Sequence, residues 1–232
     1  LQTWLRSANA GIACEGSIVS SPEEPLAPLL AALRDLMTWF ESNRVPGVVI
    51  GGVAASLLGR PRFTRDVDAL VLLDPEQWKN FLESGKGAGF AARRPDALRF
   101  ASKTRVLLLR HQSSGIDVDI SFGALPFEEE CLSRGKWKEV SGIRVKLPTP
   151  EDLVIMKAVA HRPRDLEDID AILGAHPKLN VERVRHWVGE FGTVLEMPEL
   201  LGDLDKLLQR NSRVSATRGK LASKPRTSRR RK

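Results

Sequence analysis

Apolar positions along the chain change their spacing at about residue 148. Before it, short apolar runs alternate with polar turns. After it, apolar residues recur every three or four positions. In the first region Leu29, Leu33, Leu36, Met37 and Phe40 fall at helical spacing. Ser21-Pro22-Glu23-Glu24 reads as the start of that helix, with Ser21 as cap, Pro22 in the first turn and Glu24 closing a capping box. Its end is expected near Asn43, before Pro46-Gly47. Val48-Val49-Ile50 reads as a short buried strand, broken by Gly51-Gly52, and residues 53–58 read as a short helix ending at Gly59. A polar loop over 60–65 leads into residues 66–73, whose second half reads as a strand. Asp74-Pro75-Glu76 starts another helix by the same cap logic. Residues 97–110 read as a strand that turns at 111–115 and returns through 116–121 as a hairpin, and 143–147 adds one more strand.

Beyond Pro148, Thr149 caps a helix on which Leu153, Met156, Lys157 and Ala160 share helical spacing. Residues 164–173, 181–191 and 199–209 read as further helices. The expected fold class is α/β (α+β), a mixed sheet flanked by helices and followed by a C-terminal helical lobe. The expected organisation is a loose segment over 1–20, an α/β lobe over 21–147, a helical lobe over 148–210 and a disordered basic tail over 211–232.

Composition narrows the class without naming a function. With 232 residues, 42% apolar and 28% charged, the chain can bury a core of ordinary domain size. Its two cysteines, Cys14 and Cys131, build neither a disulfide framework nor a zinc knuckle and are expected as free thiols. No apolar run reaches the roughly 18–20 residues of a membrane span. The opening segment carries Ala-Asn-Ala but lacks the apolar stretch of about 7–15 residues of a signal peptide. A soluble, cytoplasmic protein is expected. The formal charge of +7 is concentrated in residues 211–232, which hold nine basic and no acidic residues. Residues 1–210 are left with a net charge of −2. Such a tail attracts phosphate backbones, or serves only as a solubilising terminus.

The chemistry is concentrated in Gly51-Gly52, Asp66-Val67-Asp68 and Asp117-Val118-Asp119. Two glycines directly after a strand let the backbone approach a phosphate at the mouth of the next helix. Carboxylates at i and i+2 on a strand point to one face. In an otherwise apolar strand they need a compensating charge, which a hard cation such as magnesium supplies together with substrate phosphates. A third carboxylate from a neighbouring strand, Asp117 or Asp119, completes a site for in-line attack on a nucleotide α-phosphate; alternation does not choose between them. A D-x-D pair by itself is most often a solvated strand end. His111, His161, His176 and His186 show no metal-ligand spacing, and no G-x-S-x-G is present. Gly85-Lys86-Gly87-Ala88-Gly89 lacks the P-loop order and reads as a loop.

These residues resemble the DNA polymerase beta-like nucleotidyltransferase superfamily, whose hallmark is a GG or GS pair, a D-x-D on the next strand and a lone acid on a later one. The local text looks like its AbiEii-type, toxin-like branch. Gly51-Gly52-Val53-Ala54 matches G-G-x-A, and Arg62-Phe63-Thr64-Arg65-Asp66-Val67-Asp68 matches R-x-T-x-D-x-D. The run from Asp119 into Pro126-Phe127-Glu128 fits the branch and favours Asp119 over Asp117. Asp152 with Lys157 matches an acid-x4-lysine element, and 162–169 matches R-P-x-D-x-x-D-I, with Asp165 and Asp168 both available. The resemblance covers about 45–175. Gly52 stands where many superfamily members have serine.

The resemblance implies a nucleotidyltransferase fold and a magnesium-dependent transfer of NMP from an NTP to a tRNA, protein or small-molecule acceptor. It implies Asp66, Asp68 and Asp119 as metal ligands and catalytic groups, and Lys157 as a catalytic residue reaching a phosphate. Gly51, Gly52, Arg62, Thr64, Lys157 and Asp168 are implied as nucleotide-binding. It further implies a toxin countered by an antitoxin protein. A catalytically inactive nucleotide- or nucleic-acid-binding protein on the same fold is the alternative. The intact set Asp66, Asp68 and Asp119 argues against it.

Overall fold

A computed structural model describes residues 26–222. The first part of the chain runs α1 (Ala27–Ser42), β1 (Gly47–Ile50), α2 (Gly51–Leu58), β2 (Asp66–Val71), α3 (Trp78–Gly87), β3 (Phe90–Ala92), α4 (Ala97–Thr104), β4 (Val106–His111) and β5 (Asp117–Phe122). It continues as α5 (Pro126–Arg134), β6 (Lys136–Val140), β7 (Ile143–Leu147), α6 (Pro150–Ala160), α7 (Pro163–Ala175), α8 (Val181–Val194) and α9 (Glu199–Ala222).

Five strands form a mixed sheet in the order β1-β2-β5-β4-β3. β2 and β5 are parallel, and every other neighbouring pair is antiparallel. β6 and β7 form a separate hairpin, and β7 packs against β1 and α1. Along β5 the residues alternate between half-buried Asp117, Asp119 and Ser121 and buried Val118, Ile120 and Phe122. β2 begins with polar Asp66 and Asp68 and ends in the buried run Ala69-Leu70-Val71. The parallel pairing therefore brings four aspartates to the N-terminal ends of the two central strands, where the chain also leaves β1 and enters α2.

Aromatic stacking anchors the helices. Trp39 of α1 stacks on Phe81 of α3 at 4.2 Å, and Trp78 stacks on Phe122 of β5 at 4.1 Å between ring centroids. α6 is buried from Asp152 to Ala160 and packs against α2, α7 and α8. Such all-round burial suits a helix at the centre of a cluster. Its N-terminus is capped by Thr149, whose hydroxyl accepts from the Asp152 amide.

Several expectations are corrected. The strand expected over 97–110 is a helix, α4, up to Thr104, and only Val106 onward is strand. Ala97 and Ala101 face the core at helical spacing, and Arg105 (φ 55°) breaks the helix in left-handed conformation. β2 starts at Asp66, so both aspartates lie within the ladder. Gly85 and Gly87 lie inside α3; a Cβ at Gly85 would stand 2.6 Å from the Trp39 ring, so that position is set by packing. β3 and β6 carry little hydrophobic signal; β6 is mostly exposed and exists through its pairing with β7. The final helix runs to Ala222, so 211–222 carry helical backbone where a disordered tail was expected. The cap at Ser21, the segment 1–20, Cys14 and residues 223–232 lie outside the described residues. Cys131 is buried and free. Among the described residues no helix is long and apolar enough to cross a membrane.

Candidate active site

The site is built where β1 hands over to α2. Gly51 has φ +62°, which a side chain rarely adopts, and a Cβ there would lie 1.9 Å from Oδ2 of Asp68. Asp68 lies opposite Ile50 in the ladder and accepts a hydrogen bond from the Gly52 amide. At Gly52, a Cβ would stand 2.7 Å from the Thr64 hydroxyl and 3.3 Å from the Arg62 guanidinium. The two glycines thus leave room for a carboxylate, a hydroxyl and a guanidinium at the mouth of α2. Thr64 in turn donates to Oδ1 of Asp66 at 2.8 Å.

Register decides the pairing of the acids. Asp66 pairs with Asp117 and Asp68 with Asp119 across the parallel ladder. Asp117 accepts from both Arg93 (3.0 Å) and Arg110 (2.7 Å). Asp119 accepts from Arg93 alone among the described residues. The carboxylate with the smaller share of local cations is therefore Asp119, directly beside Asp68. Burial raises the Asp68 carboxyl to about 6, with the charge of Asp66 adding and those of Lys157 and Arg162 opposing. Burial likewise raises Asp119 to about 7; Arg93 opposes, and Asp68, Asp66 and Asp117 push it further up.

Against this face lies a buried ion-pair network from α6 and α7. Lys157, only 5% exposed, donates to Asp165 at 2.7 Å and pairs with Asp168 at 2.9 Å. Arg62 holds Asp168 through two bonds of 2.9 Å, and Arg162 grips Asp165 from the other side. Burial by itself raises both acids, but hydrogen bonds from Arg62 and Lys157 to Asp168, and from Arg162 and Lys157 to Asp165, hold them below the usual carboxylate range. The predicted Lys157, Arg62 and Asp168 are thus brought together with one another, and Lys157 lies close enough for its charge to act on Asp68.

The other text matches have local structural roles. Asp152 is fully buried and takes bonds from Thr149, Arg183 and Arg134, which tie α8 and α5 to the start of α6. Glu128 accepts the Ala124 and Leu125 amides at the start of α5. Sequence reasoning missed Arg93, Arg110 and Arg162. Arg162 stands in the R-P-x-D text and could have been found there. Arg93 and Arg110 carry no motif, and only the sheet brings them to the acids.

Among the described residues no group of three His, Cys, Asp or Glu side chains is arranged to hold a metal ion as it stands. Arg93 occupies the position of a counter-cation on Asp119. The donor set still fits a hard divalent cation. It offers carboxylate oxygens only, from two residues on one face of β2 and one at equal register on β5, and burial first, then neighbouring acids, opposes the ionisation of Asp68 and Asp119.

A Gly-Gly turn, a D-x-D strand and a third acid on a parallel neighbour thus lie together at the mouth of α2. Residues 29–197 match the family described as "Nucleotidyl transferase of unknown function (DUF2204)", and the chain belongs to that family. It is a nucleotidyltransferase. No curated protein matches the chain. Among solved structures it is similar to an antigenic nucleotidyltransferase-like protein from Paracoccidioides brasiliensis, with 16% identity and a TM-score of 0.48 over 77% of this chain and 93% of that one. It is also similar to the antibiotic-resistance factor ANT(2'')-Ia, with 14% identity and a TM-score of 0.48 over 74% and 95%. A CCA-adding enzyme in complex with CTP shares 13% identity at a TM-score of 0.33 over 79% of this chain and 50% of that one.

Proposed function

We propose that the protein transfers an NMP from an NTP to an acceptor hydroxyl and releases pyrophosphate. The observation that carries this reading is the pairing of Asp68 with Asp119 at equal register, beside the Gly51–Gly52 entry into α2. Asp66, Asp68 and Asp119 would hold magnesium, which when bound supplies Lewis-acid polarisation of the phosphates. The Gly51–Gly52 backbone, Arg62 and Thr64 bind and orient the triphosphate at the mouth of α2. Lys157 and Arg162 place positive charge on the same side. Asp168 holds Arg62 and Lys157 in position. Asp119 accepts the acceptor's proton as its oxygen attacks the α-phosphorus. The new bond is acceptor oxygen to α-phosphorus, and the bond broken joins α-phosphorus to the bridging oxygen of the leaving pyrophosphate.

The AbiEii-type likeness belongs to this reading, and with it a toxin role, an antitoxin partner and a cytoplasmic location. So does the division into an α/β lobe and a helical lobe with the nucleotide between them. The acceptor is an RNA, a protein or a small molecule, and the basic residues after 211 favour a nucleic acid. The test uses the purified full chain, magnesium, each labelled NTP in turn and total tRNA, with Asp66→Ala/Asp68→Ala as control. Label on RNA, on protein or on a small acceptor that vanishes in the double variant supports the reading. Absence of label everywhere, with no magnesium-dependent shift of Tm by any NTP, overturns it.

A further inference from the structure

The loop between α2 and β2 has two sides. Over 61–65 exposure alternates: Pro61, Phe63 and Arg65 face solvent, while Arg62 and Thr64 are half-buried. In an extended segment that alternation puts the two sets on opposite sides of the chain. The inner side is pinned. Ser56 donates to the Arg62 carbonyl at 2.9 Å, Arg62 binds buried Asp168 through two bonds, and Thr64 binds Asp66. Arg62 and Thr64 also stand against Gly52, so the inner side is the one that faces the mouth of α2.

The outer side is fixed by the same bonds and carries nothing in return. Phe63 is 53% exposed and makes no ring contact among the described residues. The other exposed aromatic ring among the described residues, Trp137, is covered by the Arg144 guanidinium at 4.8 Å. Arg60 and Arg65, both exposed, have no ion-pair partner among the described residues. A bare ring between unpaired arginines, one residue from the Arg65–Asp66 step into the acids, suits a ligand with a flat aromatic face and phosphate charge. Because these bonds already hold the loop in one conformation, binding there needs little ordering.

We propose that Pro61, Phe63 and Arg65 form a docking stripe for a single-stranded polynucleotide acceptor, with one base stacked on Phe63 and a backbone phosphate on Arg65. This rests on the reading under Proposed function and names the acceptor for it. An NTP held at Gly51–Gly52 lies on the inner side of the loop, and the stripe is left to the second substrate. Base–aromatic stacking is sequence-tolerant and strong enough to be read by single substitution.

The test is fluorescence anisotropy of a labelled ten-nucleotide single-stranded RNA on the full chain, without NTP, across a salt series. Phe63→Ala is expected to weaken binding about tenfold and Phe63→Trp to retain it. Arg65→Gln is expected to lower the salt slope by about one. Binding that is equal in Phe63→Ala and wild type overturns the stripe. So does a weakened NTP affinity in Phe63→Ala with RNA binding unchanged, because that places the nucleotide's own base on the ring. Label transfer that dies with Asp66→Ala/Asp68→Ala while RNA binding ignores Phe63 keeps the enzyme reading and removes the stripe. RNA binding that follows Phe63 in a protein showing no transfer and no NTP binding does the reverse.

Discussion

Two groups of aspartates lie side by side in this protein, and they differ in how much positive charge surrounds them. Among the described residues the four acids Asp66, Asp68, Asp117 and Asp119 on β2 and β5 have two direct ion partners, Arg93 and Arg110, which bind Asp117 and Asp119. Asp165 and Asp168 on α7 have Lys157, Arg62 and Arg162, so two acids face three cations. Burial opposes the ionisation of Asp68 and Asp119 in the first group and of Asp165 and Asp168 in the second. In the first it prevails and raises Asp68 and Asp119. In the second, charge-assisted hydrogen bonds prevail and lower both acids. Among the described residues the first group is short of positive charge, and the second is not. The surplus charge of the second also acts on Asp68, so the network is part of the site's electrostatics as well as a fastening between α6, α7 and the loop before β2.

The contrast is sharpest if the first group can be removed without harm to the fold. Asp66→Ala/Asp68→Ala is expected to lower NMP transfer by about 10³-fold or more, since metal-assisted charge stabilisation contributes several kcal/mol. The Tm should stay level or rise as crowding is relieved; a fall of the Tm would show these acids to be structural. Lys157→Ala should do the opposite. It leaves two buried carboxylates short of a partner, which costs about 3–5 kcal/mol. That corresponds to a Tm lower by roughly 6–20 °C in thermal unfolding, at about 2–4 °C per kcal/mol. An unchanged Tm would remove the network from the account of stability.

Titration separates the groups by sign. Carboxyls raised in the folded state bind protons more tightly there than when unfolded. Their contribution to stability is full below the unfolded value near 3.8 and is lost as pH rises through about 6 for Asp68 and about 7 for Asp119. Asp165 and Asp168 contribute above the unfolded value and lose that contribution as pH falls through their lowered values. In metal-free buffer the wild type should therefore lose Tm between pH 4 and about 7 relative to Asp68→Asn/Asp119→Asn. Added magnesium at pH 7.5 should restore it in the wild type only. Parallel profiles of the two proteins would contradict the raised values. The smallest effect is expected at Arg162→Gln, whose side chain is 46% exposed and whose partner Asp165 keeps Lys157. A loss of about 1–2 kcal/mol is expected, with a weaker NTP affinity that Arg162→Lys partly restores.

Much of the site is legible in the order of residues, because strand alternation and glycine conformation are local. The i, i+2 spacing places Asp66 and Asp68 on one face. Gly51 adopts the left-handed φ that its lack of a side chain permits. Thr149 caps α6 as its position before Pro150 suggests. Local spacing also misled. Residues 97–104 were expected to continue the strong strand signal of 106–109, yet they form a helix that turns Ala97 and Ala101 inward.

What the sequence by itself determined is the set of acids and the turn that precedes them, since each depends on neighbours a few residues away. Only the tertiary structure decided which acids meet and what charge each one feels. Asp119 stands beside Asp68 because β2 and β5 run parallel at one register across 50 residues of chain. Lys157 and Arg62 are joined through Asp168, from a helix more than a hundred residues beyond Arg62. Charge interactions act through space, and the separation along the chain says nothing about them until the fold has closed.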